Sequence, residues 1–202
     1  MSDQLILKYN FSSSGSSPFQ FTLPIQSLTG SSVSSNLIVT WSGLGTQPTP
    51  TIDPLVFTYT DKNLPLTVYI SGPNVKKFSH ANNSAAPYLI ECIQFNNNLE
   101  SLYGAFMECI QLVDKIPTTL PTSVTDISYM FAGARNFIGD INGWNTTNVI
   151  NMAGIFQGAN IFNSELNNWV VSNVINMERM FFAAERFNKD LNNWDVSNVE
   201  NM

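Results

Sequence analysis

Residues 149–202 repeat one 25-residue phrase, and that repetition limits what the chain can fold into more than any other feature. Segments 149–173 and 174–198 agree at 15 of 25 positions, and residues 199–202 begin the phrase again. Trp144, Trp169 and Trp194 mark its beat, as do Met152, Met177 and Met202, and Phe131, Phe156 and Phe181. A fixed period in the 20–50 range points to a solenoid or related array, in which each unit buries its apolar face only by stacking on the next.

Within one copy, Val174, Met177, Met180, Phe181, Ala184, Phe187, Leu191, Trp194 and Val196 are the apolar or small positions. Met180, Phe181, Ala184 and Phe187 fall at i, i+1, i+4 and i+7, which predicts a short helix of about two turns. The flanking apolar positions have the spacing of short extended segments. Asn192-Asn193 and Ser197-Asn198 supply corners, since Asn tolerates left-handed backbone and bonds its own main chain. A small residue recurs at Cys109, Ala134, Ala159 and Ala184, where it lets the helix approach the extended pieces.

The phrase runs backwards in weaker form. Segment 124–148 keeps Val124, Ile127, Met130, Phe131, Ala134, Phe137, Ile141 and Trp144. Segment 99–123 keeps Leu99, Leu102, Phe106, Cys109, Leu112 and Ile116, with Thr119 where Trp is due. The run from Met180-Phe181 to Asn188, followed by Trp194-Asp195-Val196-Ser197-Asn198-Val199 and Met202, resembles the repeat of the BspA-like leucine-rich-repeat surface proteins, which include mycoplasma lipoproteins. The resemblance implies a surface-exposed, non-enzymatic adhesion or interaction role. Bacterial members of that family are exported, but the start of this chain has neither a basic stretch followed by an apolar one nor a lipoprotein-type Cys. Repeats of this kind also occur in large DNA viruses and protists, so the expected location is a cell surface or a virion surface.

Residues 1–80 are different text, rich in Ser, Thr, Pro and Gly. Apolar runs at 5–9, 19–23, 37–41, 55–59 and 66–70 are separated by turn clusters at 12–18, 31–36 and 43–54, a spacing that predicts a small antiparallel sandwich. The order Ile38-Val39-Thr40-Trp41, Phe57-Thr58-Tyr59-Thr60, Leu66-Thr67-Val68-Tyr69-Ile70 resembles the PKD-like β domain that precedes such repeats. That domain usually has Trp-Gly-Asp-Gly where this chain has Trp41-Ser42-Gly43-Leu44-Gly45, so no acidic role transfers to the turn. Residues 81–98 read as a junction and N-terminal cap, with a buried strand over 88–95 and a strand start at Val75 and Phe78. The expected fold is therefore mainly β with short helices (α+β): a β-sandwich-like domain over 1–80, the junction, and a leucine-rich-repeat-type solenoid of about four coils over 99–202.

Composition narrows the chemistry. Charged residues are only 12%, the net charge is −6, and Lys and Arg form no cluster, which argues against a phosphate-tracking groove for nucleic acid. No run of 18 apolar residues suggests a membrane span. Cys92 and Cys109 read as buried free thiols, and no metal-ligand spacing accompanies the single histidine. His80 lies in Ser/Asn-rich text without a nucleophile motif and reads as an exposed loop histidine. Glu165, Asp190 and Asp195 are the carboxylates that hydrolysis could use, but Glu165 and Asp190 occupy equivalent positions in the phrase, as solvated edges do. Phosphate-binding Gly-rich loops are absent. The sequons at Asn10, Asn82 and Asn145 are what chance produces in so Asn- and Ser-rich a chain. The expectation is no enzyme, no cofactor and no metal.

The tryptophan column could be a sugar platform, but an unchanging place in the phrase is what a buried core ladder requires. Asn151, Asn176 and Asn201, and likewise Asn168 and Asn193, are expected to hydrogen-bond between coils. The candidate interaction surface is the segment between the inward Val and Met, namely Thr125 and Asp126, Ile150 and Asn151, Ile175 and Asn176. Phe181, Trp194 and Met202 lie near an end that expects either further repeats or a docked chain. The expected partner is a protein or glycan on another cell or particle, or a second copy in a homo-oligomer. The rival expectation is a structural subunit of a viral or other particle.

Overall fold

The computed structural model describes residues 4–10, 19–22, 24–26, 38–42, 56–59, 66–71 and 75–202. Eight strands are assigned: β1 (Gln4–Tyr9), β2 (Phe19–Thr22), β3 (Ile25–Gln26), β4 (Ile38–Ser42), β5 (Val56–Tyr59), β6 (Leu66–Ser71), β7 (Lys77–Phe78) and β8 (Leu89–Gln94). β1, β2, β4, β5 and β6 fall on the five apolar runs of the N-terminal text. The turn clusters at 12–18, 31–36 and 43–54, including Gly43-Leu44-Gly45, lie outside the described residues. β4, β6, β1 and β8 form one open antiparallel sheet in that order, while β2 pairs with β5 and β3 with β7. Alternation sets its faces: Leu5, Leu7 and Tyr9 sit opposite Ile70, Val68 and Leu66, and all six are buried.

From Lys77 onward the chain adds single parallel rungs at a near-constant interval. Lys77 bridges Ser101, which bridges Asp126, and the series continues through Asn151, Asn176 and Asn201. Each 25-residue copy therefore lies in register beside the next. In segment 149–173 alternate amides point forward: the N–H groups of Met152, Gly154, Phe156 and Gly158 donate to the carbonyls of Asn176, Glu178, Met180 and Phe182, at 2.8–3.0 Å.

That bonding overturns the expected helix. The phrase around Met180, Phe181, Ala184 and Phe187 is a run of turns, and the three-residue 3₁₀ turn Ala86–Tyr88 is the only helical element assigned among the described residues. Two left-handed residues recur four apart in every copy: Gly104 and Glu108, Tyr129 and Gly133, Gly154 and Gly158, Arg179 and Ala183, all with φ between 54° and 69°. A left-handed residue in each turn breaks a right-handed helix, and alternate N–H groups are already committed to the neighbouring copy. Bonds from Ala159 N–H to Phe156 O and from Phe162 N–H to Ala159 O close tight turns that still bring the apolar residues to one side. The fold is mainly β with almost no helix, not α+β.

The core is a set of aromatic columns. Phe131, Phe156 and Phe181 stack at 5.7 and 5.6 Å, and Phe137, Phe162 and Phe187 at 5.8 and 5.9 Å. Trp144, Trp169 and Trp194 stack at 6.5 and 6.4 Å with nearly parallel planes. Trp144 and Trp169 are each only 2% exposed, so they are core and not a sugar platform. Each indole Nε1–H donates back to the preceding copy, to Pro117 O, Ile141 O and Leu166 O, which satisfies its one polar atom. In the first copy, where Thr119 replaces Trp, the buried Phe95 that follows β8 packs on both Phe106 and Trp144.

The asparagine columns bond between copies as expected, but through the main chain: the N–H groups of Ile127, Met152 and Met177 donate to the carbonyls of Asn151, Asn176 and Asn201. Asn151 and Asn176 accept from the N–H groups of Ala153 and Glu178 in their own copy, as short polar side chains do in turns. Asn168 and Asn193 donate their backbone N–H groups to the preceding copy, to Asn142 Oδ1 and Asn167 Oδ1. The side-chain ladder that climbs from copy to copy is Asn148, Asn173 and Asn198. Their Nδ2 groups donate to Thr122 O, Thr147 O and Ser172 O at 2.8, 2.8 and 2.7 Å.

His80 is the second correction. It is buried, not an exposed loop residue, and it ties the sheet to the first copy. Nδ1–H donates to Ala105 O at 2.6 Å, which leaves Nε2 to accept from the Tyr9 hydroxyl at 3.0 Å. Burial lowers its pKa from 6.5 to about 4, against a smaller raising effect from the Ala105 carbonyl. Cys92 and Cys109 are buried and free as expected, and burial pushes both thiols up.

Three outcomes test this account. Trp169→Ala should cost about 3–5 kcal/mol in urea unfolding, because it removes a fully packed rung; an unchanged midpoint would place the indole in solvent. Gly154→Ala should destabilise by more than about 1 kcal/mol, whereas Ala183→Gly should raise the melting temperature, because the left-handed region penalises any Cβ. An alanine Cβ at Gly154 would also come within 2.7 Å of Tyr129 Cδ1. A neutral His80 takes up its proton only on unfolding, so its contribution is complete above pH 6.5 and declines as pH falls toward about 4. Urea titrations should show about 2 kcal/mol lost between pH 7 and pH 5, above the main carboxylate range, and a flat response there would refute the burial.

Candidate interaction surfaces

The sequence nominated two surfaces, and the structure places their residues as follows. On the rung edge, Ile150 N–H donates to Thr125 O, Ile175 N–H to Ile150 O, and Glu200 N–H to Ile175 O, at 2.8–2.9 Å. Thr125 N–H donates in turn to Glu100 O at 3.1 Å. Thr125, Ile150 and Ile175 thus form one exposed column with a glutamate at either end, and the two isoleucines are 45% and 42% exposed. Glu100 is held by Lys76 at 2.7 Å. Asp126, Asn151 and Asn176 behave differently: they are half-buried, and Oδ1 of each caps the N–H two residues on, in Ser128, Ala153 and Glu178. Three of the six nominated residues therefore face outward, and three are spent shaping the rung.

A second exposed apolar column was not nominated. Ile138 N–H donates to Val113 O at 2.8 Å, and the two side chains are 49% and 41% exposed. The signal was in the text: the same place in the later copies is Asn163 and Asn188. An apolar residue at a place where other copies carry Asn marks an outward position under no core constraint.

The third surface is the face of the last copy. Phe181 and Trp194 are half-buried, while Phe182 is 62% and Met202 78% exposed. With Met177, Met180 and Leu191 they line an apolar hollow of ≈ 600 Å³. The hydrogen-bond pattern gives this face a polarity. In each earlier copy the amides at the places of Arg179, Phe181 and Ala183 donate to the following copy. Here those three N–H groups have no acceptor among the described residues.

The carboxylates and the histidine that catalysis could use are placed as follows. Glu165 is exposed and pairs with Lys189 at 2.9 Å. Asp190 is exposed. Asp195 accepts from Ser197 N–H at 3.1 Å, and bonding to Ser197 holds its carboxyl below the usual range. His80 has its two ring nitrogens occupied by Tyr9 and Ala105. Among the described residues no cluster of three His, Cys, Asp or Glu could hold a metal ion, and no helix is long and apolar enough to cross a membrane.

No curated protein and no solved structure matches the chain. One family model does, over residues 91–202, more than half of the sequence and every copy of the phrase. The chain belongs to that family, described as "Mycoplasma protein of unknown function, DUF285".

Proposed function

We propose that this is a non-enzymatic surface protein of the BspA-like leucine-rich-repeat type, in which residues 99–202 wind as a solenoid behind a PKD-like β domain over 1–80. Its work is adhesive: it binds a protein or glycan on another cell or particle. The observation that carries the reading is the outward column Thr125, Ile150 and Ile175, which runs over three successive rungs while the inward positions stay buried. Residues released from packing and lined up at a fixed rise are how repeat arrays build extended contact surfaces. Membership of a Mycoplasma family agrees with a cell-surface location.

A second reading rests on the last copy. A face with three outward amides and an apolar hollow fits a structural subunit of a viral or other particle, docking a partner chain through Phe181, Trp194 and Met202.

The two readings separate by mutation. Replacing Ile150 and Ile175 together by Lys should abolish binding of the labelled chain to cultured cells and leave melting unchanged, because both side chains are already in solvent. Retained binding would remove the rung edge as the adhesive surface. For the structural reading, Phe181→Ser or Met202→Asp should abolish assembly while cell binding persists. Immunogold labelling of intact cells or particles with antibody to residues 99–202 decides location, and labelling only after disruption would end the adhesive reading.

A further inference from the structure

A shallow groove of ≈ 470 Å³ crosses the copies on the side of the left-handed turns, and it shares Phe182 with the hollow. Tyr129, Gly133, Arg135, Gln157, Gly158 and Phe182 are among its lining residues. We propose that this groove is a binding site for a neutral oligosaccharide.

The floor exists because two copies carry glycine where the backbone turns left-handed, at Gly133 (φ +69°) and Gly158 (φ +67°). A Cβ built at Gly158 would find nothing nearer than 3.8 Å, so the space above it is empty. Over Gly133 lies the Glu108 carboxylate of the preceding copy, whose Cδ would stand 2.6 Å from such a Cβ. The missing side chains thus open a trough and lay a carboxylate along it.

Two polar groups in the trough remain uncommitted. Arg135 is exposed and makes no ion pair among the described residues. Gln157 Oε1 is shielded from solvent and has no hydrogen-bond partner, although buried acceptors are ordinarily satisfied. Asn160 Nδ2 donates to Glu185 Oε1 at 3.0 Å, which fixes one more planar amide at the rim. Tyr129 and the 62%-exposed Phe182 add ring surface.

These features select a ligand class. The floor's main chain is already used: the N–H groups of Glu108, Gly133 and Gly158 donate to Ala132, Gln157 and Phe182 at 2.8 Å, so a peptide cannot be added as a strand. A single guanidinium in a groove also lined by Glu108 is no phosphate track and offers little to an acidic sugar. What remains is planar amide, carboxylate and guanidinium groups beside aromatic faces. Those groups pair with neighbouring hydroxyls, which both donate and accept, and the rings cover the C–H face of a pyranose.

The test is an array of immobilised oligosaccharides probed with the labelled full chain. It carries neutral glucose, galactose and N-acetylglucosamine oligomers, sialylated glycans and unglycosylated peptides. The expected result is binding to at least one neutral series, weakened tenfold or more by Arg135→Ala and by Gln157→Ala with melting temperature unchanged. Binding should persist in Ile150→Lys, which separates this site from the rung-edge adhesive surface. No neutral signal, signal confined to sialylated glycans or peptides, or neutral binding unaffected by both groove variants would each overturn the proposal.

Discussion

Everything in residues 77–202 depends on where alternate backbone amides go. In each of the three copies over 99–173, four alternate N–H groups point to carbonyls of the following copy, at about the length of an ordinary sheet hydrogen bond. A buried backbone cannot leave such groups unpaired, so the copies must lie in register at a fixed rise. Register in turn places like over like. Phe156 meets Phe131 and Phe181, and Trp169 meets Trp144 and Trp194, with planes nearly parallel because the backbone beneath them repeats.

The same constraint explains the left-handed residues. A chain that must send alternate amides forward while keeping its apolar side chains on one flank cannot continue as a helix, and two positive-φ positions per copy turn it. Glycine fills these places in some copies, but Tyr129, Arg179, Glu108 and Ala183 accept the strain in others. Two large occupants sit over a glycine of the following copy: Tyr129 lies over Gly154, and Glu108 lies over Gly133. A large side chain at a left-handed turn needs the following copy to carry none. Bare glycine and leaning side chain together form the grooved face, while the opposite requirement, exposed side chains on a straight edge, produces the column of Thr125, Ile150 and Ile175.

At its N-terminal side the ladder joins a conventional sheet through a few shared groups. β7 makes the first rung, Phe95 stands in for the tryptophan that the first copy lacks, and His80 bonds to both Tyr9 of the sheet and Ala105 of the first copy. A neutral imidazole suits this place because it can donate at one nitrogen and accept at the other. Burial keeps it neutral, which makes the joint sensitive to acid.

The sequence by itself determined the period, the inward positions, the buried thiols and the five apolar runs that became strands, because each is a matter of which residue recurs where. It also pointed to the tryptophans as core, since an unchanging place in the phrase is what packing demands. The turns could not be read, because apolar residues at i, i+1, i+4 and i+7 line one side of a helix and one side of a chain of tight turns equally well. Only the tertiary structure chose between them: the acceptors for those amides lie in the next copy, about 24 residues away. Likewise His80 looked like a loop residue because the groups that enclose it, Tyr9 and Ala105, come from 71 and 25 residues distant. Local text records what a side chain is, but burial and hydrogen-bond satisfaction are settled by neighbours that only the folded chain brings together.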